Sequence, residues 1–168
     1  MASGTFSNLR AGLPAPAECF GIGIGLMELV MFGLAGVANP LEFSKGFGVP
    51  MLPTNKITAP SGEAPSYASS DEKSREDKLQ KTQEAYITAI AARNIQNGVL
   101  LLTLGCYVRD RRALGIAIFS GVITTVGDAW IVRQSGDTNY VFGHLIGVMN
   151  SLVIGGSLLY WGRNDKLW

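Results

Sequence analysis

Four apolar runs separated by polar or charged stretches dominate the pattern of this chain: residues 17–38, 85–108, 113–132 and 140–161. Each is close to the roughly twenty residues that an α-helix, rising about 1.5 Å per residue, needs to cross a hydrocarbon core. Pro16, just before the first run, suits the first turn of a helix, where no N–H is required. That run, AECFGIGIGLMELVMFGLAGVA, ends at Asn39-Pro40. It is too long for the core of a signal peptide and lacks a small-residue cleavage site, so it is expected to be retained. The pattern predicts an all-α protein, a four-helix transmembrane bundle with a long polar loop between the first and second spans, forming a single domain over residues 1–168.

The long connection has internal structure of its own. Residues 39–70 hold Pro40, Pro50, Pro53, Pro60 and Pro65 among serines and threonines and read as loop. The apolar residues within Leu41–Leu52 predict that this part lies on the membrane surface or folds back over the bundle. An insert at about 54–82 follows, flexible in its first part. In 71–84, DEKSREDKLQKTQE, four basic and five acidic residues predict a solvated helical extension into the second span.

Composition supports the membrane reading and removes other classes. The chain is 47% hydrophobic and 16% charged, whereas soluble domains carry about a quarter charged residues. A net charge of +1 provides no basic surface for nucleic acid. Cys19 and Cys106 lie in apolar runs without a CxxC pair, so buried free thiols are expected and neither a metal site nor a cofactor is implied. Gly21, Gly23 and Gly25 mimic a dinucleotide-binding glycine motif. A neighbouring helix packed against Gly21 and Gly25 explains them better, because no strand precedes them to open a βαβ unit. Four spans place both termini on one side, with Arg10, Arg109, Arg111, Arg112, Arg163 and Lys166 near it and Arg133 on the other. By the positive-inside rule both termini are expected in the cytoplasm, the membrane being that of the endoplasmic reticulum.

Polar residues inside the runs point to chemistry. Measured along the helices from the non-cytoplasmic surface, His144 falls at about 6 Å, Asp128 at about 8 Å, Arg93 at about 12 Å and Glu28 at about 16 Å. Helical phase puts Thr124, Thr125 and Asp128 on one face of the third span, Ser151 with His144 on the fourth, Arg93 with Asn97 on the second, and Glu28 with Gly21 and Gly25 on the first. Arg93 is expected to be neutralised by Asp128 or Glu28, with Asn94 and Asn97 completing its hydrogen bonds. Such residues also glue membrane helices, at about 1 kcal/mol each, and that bland reading suits the asparagines and Ser151 taken singly. Four ionisable groups together favour a functional one.

The segments FGIGIGLMEL at 20–29, FGVP at 47–50, AARNIQNGVLLL at 91–102, RDRRALG at 109–115, GDAWIV at 127–132 and GH at 143–144 resemble a family of small four-span proteins known as domain of unknown function 4267. The family is distantly similar to DoxX-like bundles. The resemblance spans the chain apart from residues 1–14 and 54–82, and singles out Arg93, Asn94, Asp128 and His144. Fungal members resemble accessory proteins of secondary-metabolite pathways, and a more distant likeness is to membrane sterol isomerases. The expected function is a cofactor-independent tailoring enzyme for epoxide opening or hydrolysis, cyclisation or isomerisation of a lipophilic polyketide or terpenoid. Asp128 would be the base or orienting group, His144 the proton shuttle, Arg93 with Asn94 and Asn97 the oxyanion stabilisers and Glu28 the second carboxyl and candidate acid, while Thr124 and Ser151 join Asn94 and Asn97 in binding substrate. The alternatives are a non-catalytic scaffold or lipid- or metabolite-binding protein, and, third, a transporter. Expected partners are the lipophilic substrate, membrane lipid, other pathway enzymes or a second copy of the chain.

Overall fold

A computed structural model describes residues 15–51, 70–135 and 138–160, and the regular structure among them is helical throughout. Helix α1 spans Pro16–Ala38. It is α-helical over Pro16–Met27, π-helical over Glu28–Leu34 and α-helical again over Ala35–Ala38. Helix α2 is Pro40–Phe47, α3 is Ser70–Leu102 with a π-helical continuation Thr103–Val108, α4 is Arg111–Ser135 and α5 is Thr138–Tyr160.

Local chemistry fixes the boundaries. The expected loop after residue 39 begins with a helix instead. Asn39 Oδ1 accepts the Glu42 N–H at 3.3 Å, Pro40 occupies the first turn, and Gly48 closes α2 in the left-handed region at φ 92°. The charge pattern alone had identified the solvated start of α3, which the structure begins at Ser70. Arg109, at φ 57°, reverses the chain after α3, and Asp110 Oδ1 caps α4 by accepting the Ala113 N–H at 3.0 Å. Residues 54–69, where the flexible part of the insert was expected, lie outside the described residues.

The long helices alternate in direction. Glu18 near the start of α1, Arg111 at the start of α4 and Ser157 and Leu158 near the end of α5 meet at one end of the bundle. At the other end Gly48, just past α2, lies against Val132 of α4 and Tyr140 of α5. The core of Leu101, Leu114, Ile118 and Leu158 sits toward the first end. Glycine permits the close crossings, as the sequence reading of Gly21 and Gly25 required. A Cβ on Gly98 of α3 would stand 2.5 Å from Leu29 N and 2.8 Å from the Gly25 carbonyl oxygen, and one on Gly21 2.8 Å from Ile118 Cδ1.

Three helices, Pro16–Ala38, Arg111–Gln134 and Thr138–Tyr160, are long and apolar enough to cross a membrane. Their outer faces carry Phe20, Met31, Ile123, Trp130, Phe142 and Val153. An apolar exterior of this extent is the make-up of a membrane protein. Helix α3 differs, with a charged first half and Arg93 in its second. Cys19 and Cys106 are on the exterior of the bundle, not buried as expected, and neither is in a disulfide. Both fall on the faces that α1 and α3 turn away from their neighbours.

Candidate functional site

At the centre of the bundle, α3 and α4 are joined by a bidentate ion pair. Arg93 Nη1 donates to Asp128 Oδ1 at 3.1 Å and Nη2 to Oδ2 at 2.8 Å. Nη2 also donates to Asn94 Oδ1 at 3.4 Å, and Asn94 Nδ2 donates to the Phe32 carbonyl at 3.2 Å, within the π-helical part of α1. Asn94 and Asp128 are 6% and 8% exposed. Parallel N–H···O bonds to a planar carboxylate are the strongest geometry available to a guanidinium, and the low dielectric around them strengthens the pair further. Of the two partners left open by the sequence, Asp128 is the one that binds Arg93; Glu28 interacts electrostatically with both.

Two cavities with no lining residue in common lie near this pair. The first, of about 100 Å³, lies in the middle of the bundle, where Glu28, Asn97, Thr124, Thr125 and Ser151 supply polar groups from four helices, with Gly121 and Ser120 alongside and Ile24, Leu100, Leu101, Ala117 and Ile118 forming the apolar rest of the wall. Asn97 follows Arg93 by one turn of α3, and Thr124 precedes Asp128 by one turn of α4, so cavity and ion pair are about 6 Å apart along each helix. The second, of about 510 Å³, is an open pocket lined by apolar residues of the segment after α2 (Val49, Pro50, Met51), by Phe47, by Ile87 and Ile90 of α3 and by Ile131 of α4. Gln83 and Tyr86 line its wall toward the charged start of α3, and Arg93 is its charged residue.

Arg93 lines the second cavity and is absent from the wall of the first. Three of its five N–H groups are engaged by Asp128 and Asn94. Its Nε is buried without a partner, and the side chain as a whole is 32% exposed. With its charge balanced by Asp128, the guanidinium is suited to a neutral oxygen acceptor rather than a second anion.

His144 belongs to a different contact. Its Nε2 is 3.1 Å from the Phe47 carbonyl oxygen, and its ring meets the Phe47 ring edge-on at 4.9 Å. A carbonyl only accepts, so Nε2 carries the proton, and His144 anchors the end of α2. The structure thus gathers Arg93, Asn94 and Asp128 in one group and Glu28, Asn97, Thr124 and Ser151 in an adjoining one. Asn97 was expected on Arg93 and instead faces the polar cavity. Among the described residues, no three His, Cys, Asp or Glu side chains group as a metal would require.

One buried ion pair was missed. Arg111 Nη1 donates to Glu18 Oε1 at 2.9 Å while Nε and Nη2 donate to the Leu158 and Ser157 carbonyls, with Glu18 3% and Arg111 9% exposed. A carboxylate in the first turn of an apolar run, at the same end as a basic turn, was the available signal. These features define an all-helical membrane protein whose interior holds a charged pair, a polar-lined cavity and a largely apolar pocket. The chain belongs to the family whose model is described as "Domain of unknown function (DUF4267)", which matches residues 27–158 and so includes every one of these central residues. No curated protein and no solved structure matches it.

Proposed function

We propose that the chain is a membrane-embedded enzyme that performs acid/base chemistry on a lipophilic metabolite carrying an oxygen function. The observation that carries this reading is a bundle in which Arg93 lines a largely apolar pocket and Glu28 lines a separate cavity about one helical turn further along α3. A volume of about 510 Å³ falls in the range of small-molecule sites. The substrate's apolar body fills that pocket, and its oxygen takes the second Nη1 N–H of Arg93, which the bond to Asp128 leaves over. Glu28 transfers the proton from the adjoining cavity, with Asn97, Thr124 and Ser151 orienting the reacting groups. Asp128 and Asn94 hold the guanidinium in place, so Asp128 is a positioning residue and not a free base. His144 fixes Phe47 in the pocket wall.

In this reading α3 crosses the membrane as a fourth span, its Arg93 answered by Asp128 and its charged first half outside. The termini, with Arg10, Arg109, Arg112, Arg163 and Lys166 near them, face the cytoplasm from the endoplasmic reticulum membrane. Arg111 leaves that count because Glu18 neutralises it. The closed geometry of the Arg93–Asp128 pair favours a second reading, a non-catalytic binder of lipid or metabolite that works beside pathway enzymes.

The test compares lipid-soluble metabolites of a producing host that expresses wild type, Glu28→Gln or Arg93→Lys, with folding checked by helicity and gel filtration. Loss of a product and accumulation of its precursor in both folded variants is expected. An unchanged metabolite profile rejects catalysis, and a ligand that still co-purifies with the protein then selects the binder.

A further inference from the structure

The middle of the bundle holds a carboxylate that no described residue matches. Of the carboxylates on α1 and α4, Glu18 is paired with Arg111 and Asp128 with Arg93, whereas Glu28 has neither an ion pair nor a hydrogen bond to another described residue. Arg93 and Asp128 act on it only from a distance, and with opposite signs. An isolated charge in the hydrocarbon layer is too costly to keep, so such a carboxylate takes up a proton or a cation.

The wall around Glu28 distinguishes the two. Asn97, Thr124, Thr125 and Ser151 line the same cavity, so polar groups from all four long helices meet there. The Thr124 and Thr125 hydroxyls donate to the Gly121 carbonyl at 2.8 and 2.9 Å, and the Ser120 hydroxyl donates to the Ala117 carbonyl at 2.8 Å. Their protons are committed to the backbone, and they offer the cavity lone pairs. The side chains of Asn97 and Ser151 have no hydrogen-bond partner among the described residues, so their oxygens are free as well. A proton on Glu28 would satisfy one of these acceptors, whereas a cation satisfies several at once.

We propose that this cavity is a binding site for one monovalent alkali cation, with the Glu28 carboxylate as its counter-charge and the oxygens of Asn97, Thr124, Thr125 and Ser151 as neutral ligands. A single positive charge on a single carboxylate leaves the bundle neutral, and a divalent ion would leave a surplus charge inside the membrane. The donors are hard oxygens, and no thiol or imidazole lines the cavity, which suits an alkali ion and not a transition metal. Such an ion does not need the group of three His, Cys, Asp or Glu side chains that the described residues lack. The volume of about 100 Å³ admits the ion together with about two waters at roughly 30 Å³ each.

An ion so placed ties α1, α3, α4 and α5 to one point. It also keeps a proton off Glu28, so the site goes beyond the acid/base reading and places that chemistry under the control of the cation. Glu28 moves a proton only after the ion has left.

The experiment uses the full chain in phosphatidylcholine nanodiscs, with radioactive sodium and rubidium ions as probes and no substrate. Saturable binding of one alkali ion per chain is expected, displaced by the unlabelled chloride of the same ion and not by choline chloride. The same salt is expected to raise the melting temperature above that in choline chloride at equal ionic strength, because the ion binds the folded bundle. Glu28→Gln is expected to abolish both effects. Thr124→Val removes one neutral oxygen and keeps the charge. It is expected to weaken binding at least about tenfold, and it decides the matter should the Gln variant misfold. Absence of saturable binding of both ions overturns the inference and assigns Glu28 to a proton. Binding that is indifferent to either substitution in a folded variant overturns it as well. Neither readout involves turnover, so a failure here leaves the acid/base reading to its own test.

Discussion

Replacing Asp128 by alanine leaves the Arg93 guanidinium in the bundle with one side-chain acceptor, Asn94 Oδ1 at 3.4 Å. Removing one partner of a buried ion pair costs about 3–5 kcal/mol. The Arg93 side chain is 32% exposed and that of Asp128 12%, so the lower end, about 3 kcal/mol, applies. The double replacement Arg93→Met with Asp128→Leu removes both charges and keeps side-chain volume, and is expected within about 1 kcal/mol of wild type. Reversible unfolding in mixed micelles with increasing denaturing detergent measures Asp128→Ala, the double variant, its singles Arg93→Met and Asp128→Leu, and wild type, and the cycle isolates the pair. If Asp128→Ala unfolds within about 0.5 kcal/mol of wild type, or the double variant is as unstable as the sum of the singles, the pair is not the central tie described above.

Two further expectations concern packing and the α2 cap. Gly98→Leu places a Cβ 2.5 Å from Leu29 N and 2.8 Å from a backbone oxygen, so α1 and α3 must separate. The loss is expected at several kcal/mol, about that of severe overpacking, and a Gly98→Leu protein as heat-stable as wild type would contradict the crossing. His144→Ala removes the hydrogen bond to Phe47 and the edge-on ring contact. Amide exchange over residues 40–51 is expected to quicken, corresponding to about 1–2 kcal/mol of local opening, with protection of α4 retained; unchanged exchange there would detach His144 from the cap.

Much of the interior was legible because the bilayer makes depth a function of residue number. Arg93 and Asp128 lie on different runs, and only the alternating direction of the helices together with a fixed rise places them in one layer; their pairing followed. Helical phase turned Asn97, Thr124 and Ser151 inward on their own helices, and the structure brings them together with Glu28 around the polar cavity. Depth misplaced His144, because it does not fix azimuth and the ring is turned to Phe47 on α2, a helix that proline-rich composition had hidden. The Glu18–Arg111 pair was missed for a related reason. Residues near the ends of spans read as interfacial, and only the packing of three helix ends shows that these two are buried.

The π-helical stretch Glu28–Leu34 has a bearing on how this interior came to be aligned. A π turn holds a surplus residue compared with an α turn, and one residue corresponds to about 100° of rotation. The surplus sets the azimuth of Gly25 and the start of the stretch, where Glu28 faces the cavity, against that of Gly36, whose neighbours are Ala91 and Phe43 near the cap. The angular offset between the chemistry-bearing half of α1 and the half that seats α2 is thus stored in chain length. Substitutions that spare the packing would leave that offset alone, whereas deleting a single residue would keep a continuous helix and turn one half against the other.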